Sequence, residues 1–375
     1  MRTRLLVLLL FIIQAAFSGN KVADDYVNTG IAQFEKGSYD SAKVNFLLAI
    51  ELAIKQDEKK VLANAYNNLA NCYANTGNVL DALKNYQKAV STAEEIGDSA
   101  RIAKSLKNIG TAYSEQKDFL MAMQYYQRAL QIALGMGDSS IIADCFNNQG
   151  VVLEQQNKLA EAAKKYSDAL VIYRRQANNE RISMSLNNLG IVYKNTGNYV
   201  QSLLNYEEAL GMARASGDRF MMAANINNMA TVHSLLGNSQ RALDLFFQAL
   251  DTAKKINATE IIIENYDGIA SVYESLKNYP EAIKYRKLFE STKNDFINSE
   301  RSAQLAEMQT KYETERKENE IRNLKQNERI QELEISKQKL QLKERNNLLW
   351  GALLLIIGLG TALYFWYDKQ KLKNK

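Results

Sequence analysis

Apolar and small residues recur along this chain with two superimposed periods. The short one is helical. Ala65, Leu69, Cys72 and Tyr73 fall on one stripe between Val61 and Thr76, and Ala82, Leu83, Tyr86, Ala89, Val90 and Ala93 fall on another between Leu80 and Ile96. Gly77-Asn78 separates the stripes and Gly97-Asp98 ends the second, residue types that tolerate the left-handed backbone closing a helix. Each stripe predicts a helix of about sixteen residues, roughly 24 Å at 1.5 Å per residue, and the pair predicts a hairpin. The long period is 40 residues. Ala82 returns as Ala42, Ala122, Ala162, Ser202, Ala242 and Ala282; Tyr86 returns as Phe46, Tyr126, Tyr166, Tyr206 and Phe246; Ala89 returns as Ala49, Ala129, Ala169, Ala209 and Ala249. A fixed period of this length marks an array of one supersecondary unit. No hairpin can bury its stripe alone, so the units stack into an all-α solenoid. Small residues stand where helices approach closely, and aromatics fill the space between hairpins.

These residues resemble the tetratricopeptide repeat family, whose pattern is a Leu-Gly pair, a Tyr three residues on, a Gly, then Ala, Phe or Tyr, and Ala on the second helix. Here it is spelled Leu189-Gly190, Tyr193, Gly197, Ser202, Tyr206 and Ala209, and again Ile109-Gly110, Tyr113, Ala122, Tyr126 and Ala129. The spacing is similar to the longer-helix variant of kinesin light chains and spindle-orienting adaptors. The resemblance covers about seven hairpins over residues 22–295 and implies a right-handed superhelical solenoid with a concave groove. The family's usual terminal proline is absent; the only proline, Pro280, opens the second helix of the last unit, where a proline is tolerated.

Beyond the repeats the pattern changes. Residues 299–347 lack Gly and Pro and are dominated by Glu, Lys, Arg and Gln, which predicts one long helix. Leu305, Met308, Tyr312, Ile321, Leu324, Ile330, Leu333, Leu340 and Leu342 recur loosely along it. A sustained heptad would keep them on one seam, and here the seam slips. Two readings stand, a parallel dimeric stalk and a solvated single helix held by alternating charges. Residues 348–367 carry no charge, enough to span a bilayer as a transmembrane helix. Trp350 marks one interface and Tyr364, Phe365, Trp366 and Tyr367 the other. Gly358 and Ala362 form a small-xxx-small pair through which two spans of a homodimer can approach. Lysines at 369, 371, 373 and 375 make 368–375 a basic cytoplasmic tail.

At the other end, residues 1–18 read as a signal peptide. Arg2 and Arg4 precede an apolar core from Leu5 to Ile13, and Ala16 and Ser18 supply small residues for cleavage. An uncleaved anchor is the alternative. Either way the expected product is a single-pass protein of the cell (inner) membrane with its repeats on the extracytoplasmic side. Charge agrees. Of the formal net charge of +5, Arg2 and Arg4 supply two and the tail three, so the rest is neutral and lacks the field needed to collect nucleic acid.

Chemistry-bearing residues are sparse. Cys72 and Cys145 lie in the second and fourth units on inward-facing helices, beyond disulfide reach of each other. His233, the single histidine, takes the slot of Tyr73, Tyr113, Tyr193 and Tyr273 and reads as a packing residue. We find no metal-ligand cluster, phosphate loop, cofactor motif or catalytic set, so an enzyme reading has no residues to rest on.

The informative polar signal is a ladder of asparagines, Asn28, Asn68, Asn108, Asn148, Asn188 and Asn228, preceded in four units by Asn67, Asn147, Asn187 and Asn227. Each Asn costs a helix roughly half a kcal/mol relative to Ala, so several kcal/mol must be offset. The family resemblance puts Asn68, Asn108, Asn148, Asn188 and Asn228 on the concave face, where an amide can bond a peptide backbone from both its donor and acceptor sides. The alternative is a polar seam tying first helices together. Lys104, Lys107 and Asn108 resemble part of the family's carboxylate clamp, although Asn67 stands where the clamp wants a lysine. Asn71 and Met184 extend the row. The expected ligand is an extended peptide or protein segment, acidic near Lys104 and Lys107 and apolar near Met184, held with micromolar affinity.

Signal, repeats, stalk and span in this order resemble the sensing half of bacterial repeat-bearing sensor histidine kinases and transcriptional regulators, with no output domain read after the span. Two functions compete: a membrane-anchored extracytoplasmic scaffold, and a truncated or split sensor signalling through stalk and membrane helix to a separate cytoplasmic kinase or regulator.

Overall fold

A computed structural model describes residues 22–373, so the predicted signal at 1–18 lies outside the described residues. The described residues form fourteen helices with short connections. They pair as hairpins: α1 (Ala23–Glu35) with α2 (Tyr39–Gln56), α3 (Lys59–Asn75) with α4 (Val79–Glu95), α5 (Ser99–Glu115) with α6 (Phe119–Met136), and α7 (Ser139–Gln155) with α8 (Leu159–Arg175). These are followed by α9 (Asn179–Asn195) with α10 (Tyr199–Ser216), α11 (Arg219–Leu235) with α12 (Ser239–Lys255), and α13 (Thr259–Ser275) with the start of α14 (Tyr279–Lys373).

One loop design serves every junction. At Gly77 the backbone turns left-handed (φ +79), its N–H bonds Ala74 O at 3.0 Å, and Asn78 N–H reaches back to Tyr73 O at 2.9 Å. This pair of bonds satisfies the last carbonyls of α3. Asn78 then caps α4, its Oδ1 accepting from Asp81 N–H at 3.4 Å. Two adjacent residues thus end one helix and start the next. Asp98, Asp118, Asp138, Asn178, Asn198 and Asp218 repeat the cap. Glycine is not the only punctuation: Asp57, Lys117, Asn157, Ala177, Asn257 and Lys277 take the same positive φ. The strain of roughly 1–2 kcal/mol at each non-glycine is outweighed by the packing on either side.

The core lies between hairpins. A Cβ on Gly190 would stand 2.4 Å from Tyr206 Cε1, one on Gly110 2.7 Å from the Tyr126 ring, one on Gly150 2.6 Å from Tyr166 and one on Gly30 2.6 Å from Phe46. The rings of Phe46, Tyr126, Tyr166 and Tyr206 therefore press on the bare backbone of their own first helix, and the Phe246 ring on Gly268 of the first helix that follows. Around these rings Ala70, Tyr86, Leu106, Ile109, Leu130 and Cys145, contributed by five successive helices, share one buried cluster. Cys72 and Cys145 are buried free thiols, pushed by burial up to about 11 and about 12, so both stay protonated and inert. The backbones of successive first helices approach one another closely, whereas those of successive second helices do not. The first helices therefore line the tighter, inner side.

The array closes on α14. Tyr285 and Phe289 pack on the last cluster, Tyr285 stacks on Tyr273 at 5.9 Å, and Arg286 pairs with Asp267 and with Glu274. Pro280 sits in the first turn of α14, where no donor is needed. The residues from Asn298 onward form a separate unit. It is a helix whose described side chains are all exposed, Leu305, Met308, Leu340, Leu353 and Trp350 included. Within Arg322–Tyr364 it is long and apolar enough to cross a membrane.

The ring-on-glycine contact makes a paired prediction. Gly190→Ala should cost about 1–3 kcal/mol through overpacking against Tyr206. Gly211→Ala, mid-helix in α10 with nothing within 4 Å of the new Cβ, should be neutral or stabilising by up to about 1 kcal/mol. Thermal unfolding of the two variants measures the difference.

Candidate functional site

The inner row is built from three slots on each first helix, one turn apart: Asn64, Asn68 and Asn71 on α3; Lys104, Asn108 and Thr111 on α5; Asp144, Asn148 and Val151 on α7; Met184, Asn188 and Ile191 on α9; Ala224, Asn228 and Thr231 on α11. All are half-buried except Lys104, which is exposed. The asparagines preceding the ladder differ. Asn67, Asn147, Asn187 and Asn227 are buried between neighbouring first helices.

Hydrogen bonds show what the polar rows hold together. Asn108 Nδ2 donates to Asn67 Oδ1 at 3.1 Å and Asn71 Oδ1 at 3.3 Å, Asn148 Nδ2 to Thr111 Oγ1 at 3.3 Å, and Asn188 Nδ2 to Asn147 Oδ1 at 3.4 Å. Asn187 Nδ2 donates to Asn225 Oδ1 at 2.9 Å, and Asn227 Nδ2 to Glu264 Oε2 at 2.9 Å. A seam of amides thus ties α3 to α5, α7, α9, α11 and α13. It spends N–H groups; among the described residues nothing donates to the Oδ1 atoms of Asn108, Asn148 and Asn188. Asn68 donates only within its own helix, to Asn64 Oδ1 at 3.2 Å. The hydroxyls of the packing tyrosines rise from below into the same row: Tyr86 to Asn71 Oδ1 at 2.7 Å, Tyr126 to Thr111 Oγ1 at 3.2 Å, and Tyr166 to Glu154 Oε2 at 2.8 Å.

The two lysines singled out in the sequence part company. Lys107 Nζ lies 2.7 Å from Asp144 Oδ2, both side chains mostly buried, and Asp144 Oδ1 accepts from Tyr173 OH at 2.8 Å with Arg181 at 3.9 Å. Burial alone would raise the Asp144 carboxyl, but Lys107, Arg181 and the Tyr173 hydroxyl outweigh it and hold it below the usual range. Lys107 is a structural cation joining α5 to α7. Among the described residues Lys104 has no ion-pair partner. Although its side chain reaches solvent, the groove walls crowd it, and desolvation, followed by the charges of Lys107 and Arg101, lowers its pKa.

Sequence reading missed three further charges, Glu154 on α7, Lys194 on α9 and Glu264 on α13. Desolvation raises both carboxyls and lowers the ammonium, and Lys194 interacts electrostatically with both. Aligning the repeats could have exposed Glu154 and Lys194, because their slot holds Ala74, Ser114 and Ser234 in other units. His233 is half-buried, with Nδ1 3.4 Å from Asn238 Nδ2; burial lowers its pKa. Among the described residues no acidic, cysteine or histidine group is arranged to hold a metal ion.

The tetratricopeptide repeat family model matches residues 61–135 and 141–215 of this chain. No curated protein matches the sequence. Among solved structures it is similar to aspartyl phosphate phosphatase F from Bacillus subtilis, with TM-score 0.62, 14% identity, 77% of this chain and 74% of that one covered. It is also similar to a Rap protein complexed with competence and sporulation factor, with TM-score 0.58, 16% identity and 74% and 76% covered. A third similar structure is the Rap conjugation gene regulator of plasmid pLS20 in complex with a Phr peptide, with TM-score 0.57, 18% identity and 73% and 74% covered. At these identities the likeness is one of fold.

Asp144 supplies a pH-dependent test. Its folded pKa lies below its unfolded value, so its stabilisation is present above the ordinary carboxylate range and is lost as pH falls through the folded pKa. Asp144→Ala should destabilise by up to about 3 kcal/mol at neutral pH, stranding Lys107. The gap to wild type should narrow below about pH 4, measured by denaturant unfolding across pH.

Proposed function

We propose that this protein is a membrane-anchored, extracytoplasmic repeat scaffold that binds a peptide or protein segment along its inner, asparagine-lined face. The observation that carries this reading is the row of half-buried ladder amides at Asn108, Asn148 and Asn188. Their N–H groups are spent on the seam, while their Oδ1 atoms accept nothing from the described residues. An extended backbone presents N–H donors at regular intervals, and each bond made to such an acceptor nets about 1 kcal/mol. Lys104 adds an unpaired cation at one end of the row, suited to an acidic side chain or terminal carboxylate of the ligand. Met184, Val151 and Ile191 give the middle of the row an apolar floor, and Asn68, Asn71 and Asn228 extend it at both ends. Lys107 contributes through the Asp144 pair, by fixing α5 against α7.

Two observations on other proteins support a peptide as ligand: the similar folds include one complexed with competence and sporulation factor and one with a Phr peptide. Anchoring is supported by the apolar stretch near the end of α14. The predicted export signal and basic tail fit an orientation with the repeats outside and the tail in the cytoplasm. The exposed apolar positions along the helix before that stretch, Leu324, Ile330, Leu333 and Leu340, are available to a second copy of the stalk in a homodimer.

Two measurements test this. Crosslinking the intact protein in its membrane should capture a peptide-bearing partner. Lys104→Glu should cut that capture about tenfold, the worth of roughly 1.4 kcal/mol, with no loss of thermal stability because Lys104 has no partner to strand. Undiminished capture by Lys104→Glu together with Asn148→Ala and Asn188→Ala would leave the row a purely structural seam. Sidedness is read by protease added to spheroplasts: digestion of the repeats there, with protection in inverted vesicles, is expected, and the reverse pattern would place the repeats in the cytoplasm.

A further inference from the structure

The repeat shows which apolar residues of the inner face the fold does not need. The slot of Met184 and Ala224 is filled elsewhere by Asn64, Lys104, Asp144 and Glu264. The slot of Val151 and Ile191 is filled by Asn71, Thr111, Thr231 and Ser271, and by an isoleucine again only in α1, Ile31. One turn before Ala224 stands Phe220, in a slot held by Lys60, Ala100, Ser140, Glu180 and Glu260 in other hairpins. Phe220 is 47% exposed. From α3 onward, the bulky apolar residues of these slots therefore stand only on α7, α9 and α11.

They form two groups, at opposite edges of the amide row, and hydrogen bonds between first helices fix their register. Asn187 Nδ2 reaches Asn225 Oδ1 at 2.9 Å, which sets the turn of α9 that holds Met184 beside the turns of α11 that hold Phe220 and Ala224. Ser185 Oγ and Asn188 Nδ2 each reach Asn147 Oδ1 at 3.4 Å, which sets Ile191 of α9 beside Val151 of α7. Met184 and Phe220 lie toward the N-terminal ends of their helices, Val151 and Ile191 toward the C-terminal ends of theirs. Asn148 and Asn188 stand between the two edges.

An extended backbone matches this offset. Neighbouring first helices lie about 10 Å apart, and a strand advances about 3.3 Å per residue, so one helix step takes about three residues. Successive side chains of such a chain point to opposite sides. The Val151–Ile191 group is centred between α7 and α9, and the Met184–Phe220 group one step along, between α9 and α11. Two ligand residues three positions apart point to opposite edges and reach one group each. The intervening backbone crosses Asn188.

We infer that the inner face selects a ligand with an aliphatic residue and, three positions from it, an aromatic one, and that Phe220 sets the aromatic preference. Val151 and Ile191 are half-buried and β-branched, a seat for Leu, Ile or Val. Phe220 and Met184 offer a ring and a thioether, which gain more from an aromatic ring than from an aliphatic chain. This rests on the reading of the inner face as a peptide groove and adds the ligand's sequence class to it.

The test uses the full-length protein in lipid nanodiscs and 12-residue peptides of Ser, Asn and Gln. Each carries one Glu, one Leu and one Phe, with Leu and Phe two, three, four or five positions apart in both orders. Affinity should peak at a spacing of three in one order, at least about tenfold above spacings of two and four, which put both side chains on one edge. Phe220→Ser with Met184→Asn, the residues that α7 and α3 carry in those slots, should abolish the preference for Phe over Ser and leave that for Leu over Ser. Val151→Thr with Ile191→Thr should do the reverse, with thermal unfolding as the check on folding. The spacing series on wild-type protein needs no variant and decides the matter by itself. Affinity that follows apolar content at every spacing, or a Phe preference that survives Phe220→Ser with Met184→Asn, overturns the inference and leaves the groove standing. Absence of binding by every peptide overturns it too; the groove itself is then judged by the crosslinking of the Lys104→Glu protein.

Discussion

The contact of an aromatic ring with bare helix backbone governs this structure. At Gly110, Gly150 and Gly190 the first helix carries no Cβ, and the ring of Tyr126, Tyr166 or Tyr206 occupies that space. The contact sets the separation of the two helices in a hairpin. It also stands each ring upright, so that its hydroxyl emerges between first helices on the inner side. One packing choice therefore fixes hairpin geometry and delivers a polar group to the row where ligands are proposed to bind. Where the partner slot is polar, as at Asn71 and Thr111, the hydroxyl is absorbed; beside Tyr206 that slot holds Ile191.

A second constraint is the polar seam. Helix-interior asparagine is unfavourable by roughly half a kcal/mol or more relative to alanine, and burial of its amide costs more unless it is bonded. The seam offsets both by bonding amide to amide across neighbouring first helices. Such bonds are directional, so they specify register between hairpins in a way that alanine and leucine contacts do not. Asp144 does the same with charge, gathering Lys107, Tyr173 and Arg181 from three helices. The seam and the proposed binding row share side chains: Asn108, Asn148 and Asn188 give their nitrogens to the seam.

Much of the architecture was legible because the repeat makes its own comparison. Hairpin count, helix limits within two residues and the stacking of aromatics on small residues all follow from a 40-residue period read against a helical one. The loops were only half legible. Glycine was read as the punctuation, yet Ala177 and Lys277 adopt the same left-handed turn, because stacked hairpins on both sides hold the chain there whatever the local preference. The inner row was found by its asparagines. Lys104 and Lys107, adjacent on one helix and similar in type, looked like a pair, and only the approach of α7 separates them by giving Asp144 to Lys107.

The sequence by itself determined what is periodic: which residues repeat, and hence which helices form, where they stop, and that they must stack to bury their stripes. It also determined that the closing stretch is apolar enough to need covering by lipid or protein, since that depends on composition over consecutive residues. Tertiary structure alone decided what depends on curvature. Glu154 and Lys194 share one slot of the 40-residue repeat, but Glu264 lies 70 positions beyond Lys194, and no pattern links it to them. They interact because successive first helices bend toward a common inner side, and the angle accumulated over several hairpins belongs to no single one of them.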